Sequence, residues 1–145
     1  SNTYTNRYLG SVSPGFSAGT ITFRKITSGA AGGSLILGEP GAPFLLIIDD
    51  GDQVRVENTG ETLDISNLDV RFTATTAPGT TNWFLYCDDG FTGAAFNQVD
   101  WGVFSGSIIM DAPGMENYIG AVVVPEPAVL AGALGMALLA ARRRR

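Results

Sequence analysis

Residues 1–124 predict an all-β fold, an antiparallel β-sandwich or jelly roll of about 8–10 short strands. Three observations carry this expectation. Nineteen glycines and seven prolines punctuate the chain. The runs between them are rich in Val, Ile, Thr and aromatic residues, with turn signals every ~8–12 residues. No sustained helical periodicity precedes residue 124, so no amphipathic helix is expected there. An internal repeat of fixed period is not visible either.

The clearest unit is a hairpin. Phe44-Leu45-Leu46-Ile47-Ile48-Asp49 forms one arm and Asp52-Gln53-Val54-Arg55-Val56-Glu57 the other, with Asp50-Gly51 between them. Asp-Gly supplies the positive φ angles of a two-residue type I′ turn. The first arm is apolar on both faces and should be buried. The second alternates Val54 and Val56 with Gln53, Arg55 and Glu57, so one of its faces is wet. The same pattern gives strands near 19–26, 34–37, 63–65, 68–75, 82–87, 99–104, 107–111 and 117–123. Turns are expected at Ala77-Pro78-Gly79, Asp88-Asp89-Gly90 and Asp111-Ala112-Pro113-Gly114.

Much chemistry is missing from this residue set. The chain has no histidine, which removes Ser-His-Asp and Cys-His nucleophile systems and imidazole metal sites. Its one cysteine, Cys87, can form neither an intrachain disulfide nor a thiolate zinc site. Cys87 follows Trp83-Phe84-Leu85-Tyr86, where a buried, inert thiol is expected. No glycine-rich phosphate loop opens a helix. Residue type alone permits a carboxylate pair for glycoside hydrolysis. However, Asp49, Asp50, Asp52, Asp88, Asp89 and Asp111 all fall in turn signals, where aspartate tolerates and caps the turn. A non-enzymatic domain is therefore expected.

Two kinds of binding are compatible with what remains. Asp49, Asp50, Asp52, Asp88 and Asp89 carry oxygens suited to calcium, but neither cluster has the EF-hand spacing, and the hairpin accounts for the first. The expectation is no cofactor, with calcium the one ion to test. The second kind is carbohydrate contact through Trp83, Phe84, Tyr86, Phe91, Phe96, Trp101 and Phe104, beside Asp88, Asp89, Asn97 and Asp100. A domain of this size needs most of its aromatics inside. Trp83, Trp101 and Asp100 are the ligand candidates left after that demand.

Charge narrows the partners. Five basic residues (Arg7, Arg24, Lys25, Arg55, Arg71) precede residue 124, against 13 of the 14 acidic ones, a balance of −8. Such acidity argues against nucleic acid, whose phosphates require clustered Lys and Arg. It favours solubility or cation affinity.

The remaining positive charge lies at the carboxyl end. Pro125, Glu126 and Pro127 are followed by fourteen uncharged residues: Ala128, Val129, Leu130, Ala131, Gly132, Ala133, Leu134, Gly135, Met136, Ala137, Leu138, Leu139, Ala140 and Ala141. Arg142, Arg143, Arg144 and Arg145 complete the chain. As a helix the apolar run would reach about 21 Å, against roughly 30 Å of bilayer hydrocarbon. Snorkelling arginines lengthen the effective span and, by the positive-inside preference, belong in the cytoplasm. Small residues four apart, Ala128/Gly132 and Ala131/Gly135, keep the segment weakly hydrophobic. Each proline pushes the residue before it toward extended geometry. Pro125-Glu126-Pro127 therefore reads as a stiff linker that a processing enzyme could grip.

This tripartite order resembles the carboxyl-terminal sorting signal of PEP-CTERM proteins. The likeness covers about the last 23 residues, from Val123, and none of the domain before them. It implies export across the inner membrane of a Gram-negative, exopolysaccharide-producing cell, with transient retention there. It further implies recognition and cleavage by an exosortase-type membrane transpeptidase. Pro125, Glu126 and Pro127 match the recognition motif, Ala128 to Ala141 the transmembrane helix, and Arg142 to Arg145 the cytoplasmic stop. Two regions are thus expected, an exported domain over 1–124 and a sorting signal over 125–145. An exported precursor would also carry a leader; a start at Ser1-Asn2-Thr3-Tyr4 is what either a removed leader or a fragment of a longer sequence would leave. The expected destination is the cell surface or exopolysaccharide matrix, and the expected role structural. A lectin-like or calcium-binding module and a self-associating surface subunit are the alternatives. A small glycan-active enzyme ranks behind both.

Overall fold

The structure, a computed structural model, describes residues 5–15, 18–24, 34–73 and 79–124. Thirteen strands lie within them: β1 (Thr5–Tyr8), β2 (Gly10–Val12), β3 (Thr20–Arg24), β4 (Ser34–Leu37), β5 (Phe44–Ile48), β6 (Gln53–Glu57), β7 (Leu63–Asp64), β8 (Leu68–Phe72), β9 (Thr81–Cys87), β10 (Phe91–Thr92), β11 (Gln98–Asp100), β12 (Ser105–Ile109) and β13 (Tyr118–Val124). One 3₁₀ turn, Ile65–Asn67, separates β7 from β8. The described residues are all-β, as the composition implies. Among the described residues no helix is long and apolar enough to cross a membrane. The expected transmembrane helix over 128–141 lies outside the described residues.

Strand pairing departs from an antiparallel sandwich or jelly roll. Seven of the nine pairings are parallel. Successive trios stack as coils: β1-β2-β3, then β4-β5-β6, then β7-β8-β9. Each strand pairs with its counterpart one coil away, except that no β4–β7 pairing forms. The result is a short β-solenoid. One wall is a four-stranded sheet ordered β11-β8-β5-β2, and another is a five-stranded sheet ordered β12-β13-β9-β6-β3. A fourth coil begins with β10 and β11. Its third strand, β12, is held one step away from β9 because β13 inserts between them, antiparallel to both.

Residues 44–57 show why the hairpin expectation fails. β5 belongs to the four-stranded sheet and β6 to the five-stranded one, so the turn between them is a corner, not a hairpin loop. The amide of Asp52 donates to the carbonyl of Asp49 (3.1 Å), and Gly51 alone in the turn has positive φ (78°). A single positive φ at the third position is the pattern of a type II turn, not the type I′ turn that closes hairpins. The carboxylate of Asp52 is fully buried and accepts from the amides of Asp49 (2.9 Å) and Gly19 (3.0 Å). Gln53 in turn donates to the Gly19 carbonyl (2.8 Å). Asp52 therefore joins the corner of one coil to the coil beneath it.

The core lies between the walls. Phe44, Leu46 and Ile48 of β5 meet Val54 and Val56 of β6, Leu68, Val70 and Phe72 of β8, and Phe84, Leu85 and Cys87 of β9. Leu45 and Ile47 are only half-buried, because β5 has an outer face; the expected two-sided burial of that arm does not hold. The edge of the core is closed by Trp101, stacked on Phe72 with centroids 4.7 Å apart. A Cβ at Gly106 would stand 2.3 Å from the Trp101 ring, so the close approach of β12 requires glycine there. Further expected strands are trimmed or shifted: the one over 68–75 ends at Phe72, and the one over 107–111 runs from Ser105 to Ile109. The one over 99–104 stops at Asp100, where a turn closes with Phe104 donating to Trp101 (3.2 Å), and the one over 63–65 keeps two residues before the 3₁₀ turn.

Candidate functional site

The outer face of the five-stranded sheet carries the most densely connected side chains of the described residues. Alternation along β6 sends Val54 and Val56 inward and leaves Gln53, Arg55 and Glu57 outside. In β9 the aromatic residues Trp83 and Tyr86 are three apart, a spacing that would put them on opposite faces of a regular strand. A bulge resolves this. Leu85 pairs with Ile119 while Trp83 pairs with Gly120, so Phe84 and Leu85 both enter the core. Trp83 and Tyr86 then share the outer face with Tyr118 of β13.

Arg55 is the hub. Its Nε donates to Glu57 Oε1 (2.8 Å) and its Nη1 to Gln53 Oε1 (2.8 Å), and its guanidinium carbon lies 3.9 Å from the Tyr86 ring centroid. The other Glu57 oxygen, Oε2, accepts from Nε (2.9 Å) and Nη2 (2.7 Å) of Arg24 on β3. Tyr118 is 4.8 Å from Tyr86 and 6.4 Å from Trp83, centroid to centroid. Gln53 Nε2 donates to the Trp83 carbonyl (3.0 Å). Four strands, β3, β6, β9 and β13, are thus tied into one layer by guanidinium forks and rings.

The protonation states follow from these contacts. The hydrogen bond from Arg55, then those from Arg24, hold the Glu57 carboxyl below the usual range. The same bond raises Arg55 against the opposing effect of burial, with Tyr118 adding to the rise. Asp88, in the turn after β9, accepts from the Asn58 amide (3.0 Å); the neighbouring Tyr86 hydroxyl, then this amide, lower it, while Asp88 raises Tyr86. At neutral pH Arg55 is a guanidinium cation, Glu57 and Asp88 are carboxylates, and the Tyr86 phenol keeps its proton.

The residues singled out from sequence scatter. Trp83 lies on the outer face, covering Gly120, where a Cβ would come within 2.8 Å of the indole. Trp101 packs inward against Phe72 and Gly106, so the two tryptophans occupy opposite faces of the five-stranded sheet. Asp100 is exposed, pairs with Arg71 (3.4 Å) and accepts from the Gly102 amide (2.9 Å). These three candidates do not converge. Phe84 and Phe96 are in the core, Phe91 packs against it, and Phe104 is exposed. Asn97 donates to Asp69 (2.8 Å).

Among the carboxylates proposed for calcium, Asp52 is committed to the corner and Asp49 Oδ1 accepts from the Asp50 amide (2.7 Å). Asp88 and Asp89 border an open hollow of ≈ 590 Å³ with Asn58 and Gly60. No group of three potential metal ligands forms among the described residues. Cys87 is fully buried, and burial pushes its thiol up. Pro125, Glu126, Pro127, the apolar run and the arginine cluster lie outside the described residues.

Arg24, Gln53, Arg55, Glu57 and Tyr118 were not singled out by sequence. The wet face of β6 was legible, but its neighbours were not, because parallel pairing joins residues about 30 apart. No family model matches the chain, and no curated protein or solved structure matches it.

Proposed function

We propose that this chain is an exported, non-enzymatic surface or extracellular-matrix protein, delivered through its carboxyl-terminal signal and cleaved there. The observation that carries the reading is the order of the tail: a proline-framed glutamate, an apolar run and four arginines. The way the described domain uses its charge supports a structural role. All four described arginines are in ion pairs, and three of these pairs link successive coils: Arg7–Glu39, Arg24–Glu57 and Arg71–Asp100. Stacked coils tied in this way form a stiff body with broad outer faces, suited to display in a matrix. Deleting residues 125–127 tests the sorting step. The variant should accumulate in the inner membrane, whereas normal release would refute the reading.

A second reading, a self-assembling surface subunit, is favoured by one specific feature. β1, β2 and β3 each stand at the end of their sheet, so among the described residues one whole coil presents unpaired edges. Negative-stain images of the purified protein would then show filaments or layers, and a strictly monomeric sedimentation profile would count against it.

A further inference from the structure

We infer that the outer face of the five-stranded sheet binds a neutral oligosaccharide, with Trp83, Tyr86 and Tyr118 as the ring contacts and Arg24, Gln53, Glu57 and Asp88 as the hydrogen-bonding fringe. Half-buried rings on an outer sheet face have no packing role toward the core; here the bulge in β9 turns two of them outward together. Each ring joins an apolar body to a polar tip, which suits a ligand that alternates C–H faces with hydroxyls.

The fringe selects among ligands. Two arginines balance Glu57 and Asp88, so the face is neutral although residues 1–124 are acidic overall. A phosphate or sulfate site would present donors only, and a cation site acceptors only. This face presents both, and hydroxyls need both. An acidic polymer would additionally be repelled by the surrounding negative charge. The fixed geometry also matters: Arg55 is held at once by Glu57, Gln53 and the Tyr86 ring, so little ordering remains to oppose binding. The strands from β3 to β13 span about 14 Å at ~4.8 Å per step, room for an oligosaccharide and more than a single sugar.

This deepens the surface-protein reading and rests on it only for where the glycan would be met; binding itself belongs to the purified chain. Cello-, laminari- and malto-oligosaccharides, with oligogalacturonate as the acidic comparison, are titrated onto the full chain by calorimetry. The same titrations in a Trp101→Phe background follow acrylamide quenching of the remaining Trp83. Saturable binding of at least one neutral series, with Trp83 shielded and affinity falling at least tenfold in Trp83→Ala, is the expected result. Tyr118→Phe keeps the ring and loses its polar tip; it should weaken binding about threefold or more, and it serves as the test if Trp83→Ala fails to fold. No binding to any neutral series, preference for oligogalacturonate, or unchanged affinity in both variants overturns the inference. Binding to unfolded polypeptide in preference to glycan does the same. Loss of binding here leaves the sorting proposal standing, and a failure of sorting in cells leaves the titration untouched.

Discussion

Replacing Asp52 by alanine tests the corner that turns the expected hairpin into a solenoid coil. The carboxylate is fully buried and accepts two amide protons, from Asp49 at 2.9 Å and Gly19 at 3.0 Å. A hydrogen bond to a charged group contributes about 1.5–3 kcal/mol. Both donors are on half-buried residues, so water recovers part of the loss. The expected cost of Asp52→Ala is about 2–4 kcal/mol. Asparagine can accept only through its carbonyl oxygen and brings a second donor toward the amides, so Asp52→Asn should cost nearly as much. With a urea dependence of about 1–3 kcal/mol/M, the midpoint should fall by roughly 1–2 M. Asp50→Ala, in the exposed part of the same turn, should stay within about 0.5 kcal/mol of wild type. Urea unfolding followed by far-ultraviolet circular dichroism reads all three. If Asp52→Ala proves as mild as Asp50→Ala, Asp52 is an ordinary turn acid and the corner argument is wrong.

Other outcomes follow from the same geometry. Gly38 has φ of +73°, and a Cβ there would stand 2.2 Å from the Asn67 carbonyl oxygen; Gly38→Ala should cost about 2–4 kcal/mol in the same assay. Gly120→Ala should push the indole of Trp83 off the sheet, read as a red-shifted and more quenchable Trp83 emission in a Trp101→Phe background; an unchanged spectrum would contradict that packing. Acid should weaken the fold in a defined sense. Glu57 and Asp88 are lowered in the folded state, so their contribution is present above the unfolded carboxyl range and is lost as pH falls through the folded values. Glu57→Gln should therefore lose less stability than wild type between pH 6 and pH 3, and parallel pH curves would refute the assignment. Cys87, buried and raised, should resist a thiol reagent until urea unfolds the chain.

Local signals in this sequence were legible and long-range ones were not. The strand runs, the wet alternation of β6 and the turn after Cys87 follow from residue type, and the structure shows each. Strand direction does not follow from residue type. A hairpin and a solenoid corner both use Asp-Gly with apolar flanks; what separates them is the burial of Asp52 and its bond to Gly19, 33 residues away. Coil stacking was hidden for a related reason. Partners lie 29 residues apart at Thr5 and Ser34, but 34 apart at Gly10 and Phe44 and 24 apart at Phe44 and Leu68. Corners of unequal length erase a fixed period while the parallel register persists. The shared outer face of Trp83, Tyr86 and Tyr118 was not legible because the β9 bulge brings Trp83 and Tyr86 together at a spacing that simple alternation keeps apart.

The most direct test of the surface-protein proposal is the carboxyl-terminal mass of the protein recovered from fractionated cells. The proposal predicts a surface or matrix species whose chain ends near Pro125-Glu126-Pro127, without the apolar run and without Arg142 to Arg145. Recovery of the intact chain through Arg145, confined to the cytoplasm or held permanently in the inner membrane, would contradict it.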